Sequence, residues 1–123
     1  MTKKPGFIMA RWPEIVAEAR DIMIQQARLR QTITYAELCA MLQTARIHYH
    51  STVMVRLLDE VGQTEYEAGR PVLPAVVVTR QTGIPGAGYF RIAGAVPNEL
   101  TPSDAKTTWA ADLQAVFDYW SEH

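Results

Sequence analysis

Residues 34–61, TYAELCAMLQTARIHYHSTVMVRLLDEV, decide how the rest of the chain is read. Thr34 stands three residues before Glu37, the spacing of a capping box. In that arrangement the threonine hydroxyl accepts from the Glu37 amide and the glutamate carboxylate reaches back to the Thr34 amide. Tyr35, Leu38 and Leu42 then fall on one helical face, with Cys39 beside them. A polar turn over residues 43–50 follows, and Ser51 or Thr52 is placed to cap a second helix. Met54, Leu57, Leu58 and Val61 make the expected buried stripe of that helix. It is predicted to run to about Ala68, with Gly69 as a left-handed cap and Pro71 preventing continuation; Gly62 offers an earlier stop.

Upstream, residues 1–10 read as a short arm. A helix is predicted to start near Trp12, where Pro13 suits the first turn and Glu14 complements the helix dipole. Ile15, Ala19, Ile22 and Gln26 share one face, flanked by Val16, Met23 and Ala27. Gln31, Thr32 and Ile33 have room for one bridge of a strand. Downstream, residues 73–79 are β-branched and almost wholly apolar, which predicts a strand covered on both faces. Residues 80–88 are turn chemistry, and residues 89–92 are expected to return as a second strand. After a linker over residues 94–100, Thr101, Pro102 and Asp104 form a second helix start. Trp109, Leu113, Val116, Phe117 and Trp120 then recur at helical spacing to about residue 121. Burying such large side chains stabilises a fold by about 2–3 kcal/mol each. That face is expected to pack on the first helix or on a second copy of the chain.

Helix, bridge, helix, turn, helix and hairpin, in that order, make the pattern of a winged helix-turn-helix. The fold class is therefore read as α+β and mainly helical. It is a single domain over residues 1–123, with an N-terminal helix, a β-hairpin wing and an added C-terminal helix. The run Ile33-Thr34-Tyr35-Ala36-Glu37-Leu38, then a helix, then Pro74 entering a strand and a Gly-rich hairpin ending in Gly88-Tyr89, resembles the C-terminal winged helix of the O6-alkylguanine alkyltransferases and alkyltransferase-like proteins. The resemblance covers residues 33–90 and implies a DNA-binding shape. In those enzymes a Pro-Cys-His-Arg-Val motif carries the acceptor cysteine. Here the matching run is Pro74-Ala75-Val76-Val77-Val78, without the nucleophile, its histidine or its arginine. Cys39 lies in another element. The resemblance thus implies the shape without alkyl transfer.

Composition narrows the classes further. Apolar residues at 48% and charged residues at 20% suit a packed globular chain and argue against disorder. The longest apolar run, residues 75–78, is far too short for a membrane span, and no apolar signal core follows Lys3 and Lys4. One cysteine excludes an internal disulfide and points to a reducing, cytoplasmic setting. The net charge of −1 is unevenly spread. Residues 1–56 carry eight basic and four acidic side chains, whereas residues 57–123 carry four and nine.

The expected partner is therefore duplex DNA, met by Arg28, Arg30, Arg46, Arg56, Arg80 and Arg91. The alternative is a protein partner, or a homodimer through the C-terminal helix, with the fold kept and no DNA face. The exposed side of the third helix speaks against DNA, since Arg56 is outnumbered by Asp59, Glu60, Glu65 and Glu67. No cofactor is expected. His48 and His50 can supply two metal ligands, but only His123 remains as a third histidine, so no metal site is assigned. No Gly-x-Ser-x-Gly elbow or other catalytic constellation occurs, and the chain is read as non-catalytic, acting by binding or regulation.

Overall fold

A computed structural model of the chain describes residues 9–86, Tyr89 and residues 102–123, with the side chains of residues 102–105 outside the description. The elements are α1 (Trp12–Arg28), β1 (Ile33–Thr34), α2 (Tyr35–Met41), α3 (Thr52–Glu67), a 3-10 turn (Leu73–Val76), β2 (Val77–Val78) and α4 (Pro102–Glu122). The architecture is mainly helical, with β1 and β2 forming a two-stranded parallel pair in which Ile33 faces Val77 and Thr34 faces Val78. Among the described residues no helix is long and apolar enough to cross a membrane.

Local sequence rules account for most element ends. Pro13 and Glu14 open α1. Its close is a Schellman motif: Arg30 N donates to Ala27 O and Gln31 N to Gln26 O, with Arg30 itself at a left-handed φ of 54°. The capping box forms as the spacing predicts, Glu37 N donating to Thr34 Oγ1 at 3.1 Å and Thr34 N to Glu37 Oε1 at 2.9 Å. Ser51, rather than Thr52, caps α3 by accepting from Met54 N. The same closing motif ends α3, now with Gly69 at φ 73° and Arg70 N donating to Glu65 O. Gly62 is buried within α3 and does not stop it.

The core gathers around the 3-10 turn and β2, where residues 73–78 are all buried. Helices α1, α3 and α4 all pack on that turn. The buried face of α1 is Ile15, Ala19, Met23, Ile24 and Ala27. It is therefore centred on the 15-19-23-27 line, rotated from the expected 15-19-22-26 stripe, and Ile22 is only partly buried. The α4 face of Trp109, Val116 and Trp120 is packed inside the chain, on α1 and the 3-10 turn, with Leu113 and Phe117 at its margin. Trp109 Nε1 donates to Ala75 O at 2.8 Å, which ties α4 to the centre of the fold.

The hairpin expectation is corrected. Only Val77 and Val78 of the predicted 73–79 strand are extended, and they pair in parallel with β1. Pro74 fixes its own φ and has no N–H for a ladder, and the backbone around it winds into a 3-10 turn instead. Burial on both faces, which the apolar run anticipated, is met in either conformation. Tyr89 has helical backbone geometry rather than a strand's. Residues 90–92 of the expected return strand, the linker over residues 94–100, Thr101, and residues 1–8 of the expected arm lie outside the described residues.

Candidate functional site

A pocket of about 420 Å³ opens between the start of α2, the first half of α3 and the turn after β2. Tyr35 enters it from α2, Met54, Val55, Leu58 and Asp59 from α3, and Tyr49 and His50 from the segment that leads to α3. Pro74, Thr79, Arg80, Gln81, Gly86 and Tyr89 complete the wall.

Two tyrosines are fixed by hydrogen bonds. Tyr35 Oη accepts from Gly86 N at 2.8 Å, so α2 holds the far end of the turn, and the phenol proton remains available to donate. A Cβ at Gly86 would stand 3.3 Å from that oxygen, so the glycine lets the turn come this close. Burial pushes the Tyr35 phenol up, against the opposing effect of the Gly86 amide. Tyr89 Oη donates to Asp112 Oδ2 at 2.6 Å; burial, that hydrogen bond and the Asp112 charge all push its phenol far up, so it stays protonated.

The turn itself is tight. Gly83, at φ 71°, donates to Thr79 O, and Thr79 N donates to Ile84 O. The Thr79 and Thr82 hydroxyls bond to each other, and Thr82 N donates to Thr79 Oγ1. Arg80 is thereby held at the pocket on a short, internally bonded loop. On the other side, Glu18 of α1 accepts from Gln43 N and Thr44 N and anchors the segment joining α2 to α3. Burial raises the Glu18 carboxyl, but these amides outweigh it and leave the group below its ordinary range. Buried Ala45 and Ile47 pin the same segment.

The six arginines singled out from sequence do not share a fate. Arg28 donates to the His123 carbonyl, and Arg30 to Asp118 and Ser121, so both are engaged with the end of α4. Arg46, Arg56 and Arg80 are exposed and have no hydrogen-bond or ion-pair partner among the described residues. Arg91 lies outside the described residues.

The acidic side of α3 is corrected at one residue, Glu65, while Asp59, Glu60 and Glu67 are exposed as expected. Glu65 is 0% exposed and forms no part of a surface. Glu60 accepts from Trp12 Nε1 at 3.3 Å, and Glu67 from Gln63 Nε2 at 3.1 Å. Asp59 is left, at the pocket, with no partner among the described residues.

His48 and His50 are exposed; the Tyr49 ring stacks on His48 at a centroid distance of 5.0 Å and lies tilted against His50 at 4.0 Å, and the two histidine rings are 5.7 Å apart. His48 Nδ1 accepts from His50 N, so one ring nitrogen is used within the turn. Among the described residues no three His, Cys, Asp or Glu side chains are placed to hold a metal ion. The half-buried Cys39 thiol donates to Met54 Sδ at 3.7 Å, and burial raises its pKa, which makes it a packing residue and a poor thiolate.

Sequence reasoning named Arg56 and Arg80 but missed the pocket, because Tyr35, Tyr49 and Tyr89 come from three separate segments. Comparison with protein-family models, with curated proteins and with solved structures finds no match for this chain.

Proposed function

We propose that the chain is a non-catalytic, winged-helix-type module that binds nucleic acid, its pocket receiving one base lifted out of the stack. The observation that carries this reading is the meeting, at one pocket, of three tyrosines with an exposed arginine, Arg80, that makes no hydrogen bond or ion pair among the described residues. Every base has a π face, and stacking on an aromatic side chain contributes about 1–3 kcal/mol. Arg80, with five N–H donors, suits a lifted nucleotide at its phosphate and its base together. Arg56, one turn before Asp59 on α3, and Arg46, in the segment before it, suit its neighbours. The objection from the acids of α3 weakens at Glu65 alone, which is buried and paired with Arg20 and Arg70, whereas Asp59, Glu60 and Glu67 stay exposed. In sequence the run Ile33 to Leu38 resembles the entry to alkyltransferase winged helices, although residues 73–76 wind into a 3-10 turn where that resemblance implied a strand. The lack of cysteine, histidine and arginine after Pro74 supports binding without alkyl transfer.

The test is a fluorescence anisotropy titration of a labelled duplex at low salt. A saturable rise that weakens with added salt is expected, and Arg80→Ala should flatten the salt slope by about one phosphate contact. A flat titration at low salt would overturn the proposal. A second reading, a protein partner at the same place, is favoured by the exposure of Val55 and Tyr49 beside the pocket. A surface of that kind would leave the anisotropy flat.

A further inference from the structure

We infer that Asp59 and Arg80 select which base the pocket accepts, favouring bases with an exocyclic amine over thymine. This rests on the nucleic-acid reading above and adds to it a choice of ligand. Both side chains line the pocket, one from α3 and one from the turn after β2. They are of opposite charge, yet they form no ion pair with each other; among the described residues neither makes a hydrogen bond or ion pair elsewhere, although the charge of Arg80 also acts on the Glu37 carboxyl. Of the four acids of α3, Asp59 is the one that lines the pocket; Glu60, Glu65 and Glu67 do not.

A carboxylate beside a polyanion weakens binding unless the ligand gives it a donor. Adenine, cytosine and guanine each present an amine that can donate to Asp59, together with ring nitrogens or carbonyls that can accept from Arg80. Thymine has no amine. Its single ring N–H is flanked by two carbonyl oxygens, which repel a carboxylate. A base that spans the two charges satisfies both; thymine satisfies Arg80 alone.

The experiment uses four labelled duplexes that differ only in one test base, placed opposite an abasic site so that lifting it out costs little. Dissociation constants are measured at one salt concentration. The adenine, cytosine and guanine duplexes are expected to bind about tenfold more tightly than the thymine duplex. In Asp59→Asn that ratio should fall towards one, because an amide can donate to thymine as well as accept from an amine. The fall should occur even though the substitution removes a negative charge facing DNA, whereas a folding defect would weaken all four duplexes alike. Equal binding of the four by the unaltered chain, or a ratio kept in Asp59→Asn, would overturn this inference and leave the nucleic-acid reading standing. Binding to none of them would overturn both.

Discussion

Taking a carboxylate out of water costs several kcal/mol unless it is paired. Glu65 is paired twice: Arg20 donates to both its oxygens at 3.1 and 3.3 Å, and Arg70 does so at 3.0 and 2.9 Å. Arg20 also lies 5.5 Å from the centre of the Trp120 ring, so one cluster joins α1, α3, the segment after it and α4. Burial pushes the Glu65 carboxyl up, but the hydrogen bonds from Arg70 and Arg20 outweigh it and hold the group low. A folded pKa below the unfolded value means stability that is present above the ordinary carboxylate range and lost as pH falls through the folded value. The urea midpoint should therefore be level at neutral pH and drop below roughly pH 4.3. Glu65→Gln should lower the unfolding free energy by about 2–4 kcal/mol at neutral pH and flatten the acid limb; an unchanged acid limb would show that Glu65 does not set it. Arg30 differs in kind. It holds a left-handed φ where the same motif in α3 uses Gly69, and its contacts to Asp118 and Ser121 are exposed. Exposed ion pairs contribute about 0–1 kcal/mol. Relief of strain should win, and Arg30→Gly should raise thermal stability by about 0.5 kcal/mol, whereas a loss of stability would show that the α4 contacts dominate.

The elements that read correctly from sequence are those whose signals are local. Pro13 and Glu14 at the start of α1, Thr34 with Glu37, Ser51, and Gly69 all act within one turn of their own residue. Residues 73–78 were legible as buried but not in conformation, because β-branched apolar runs suit any fully covered backbone and the pairing partner lies 44 residues away at Ile33. The expected stripe of α1 was rotated for a related reason: what it faces is set by its packed neighbours α2, α3, α4 and the 3-10 turn, not by its own period. Trp109 shows how α4 is fixed on that centre. Its indole N–H meets the Ala75 carbonyl in a buried place, and removal of the donor leaves that carbonyl unsatisfied. Trp109→Phe should cost about 1–3 kcal/mol in urea unfolding; a change within a few tenths would mean that the hydrogen bond contributes nothing.

On the scale of the whole molecule, the uneven charge along the sequence does not carry over directly to the surface of the described residues. Arg28 and Arg30 belong to the basic half yet serve the end of α4, and Glu65 belongs to the acidic half yet is buried. At the pocket the exposed side chains include Arg80 and Asp59 beside His50 and Gln81, with Arg46 in the segment before α3 and Arg56 on α3. The pocket could not be read from spacing, since it exists only once Tyr35 is bonded to Gly86 and the 79–86 turn folds back on α2. The account therefore depends on where nucleic acid touches the chain more than on whether it binds. An amide NMR titration with a short duplex carrying an abasic site measures this directly. The account expects the largest shifts at Tyr35, Asp59, Thr79, Arg80 and Gly86, with little change at Ser121 and Glu122 at the far end of α4. Shifts centred on α4, or no shifts at low salt, would contradict it.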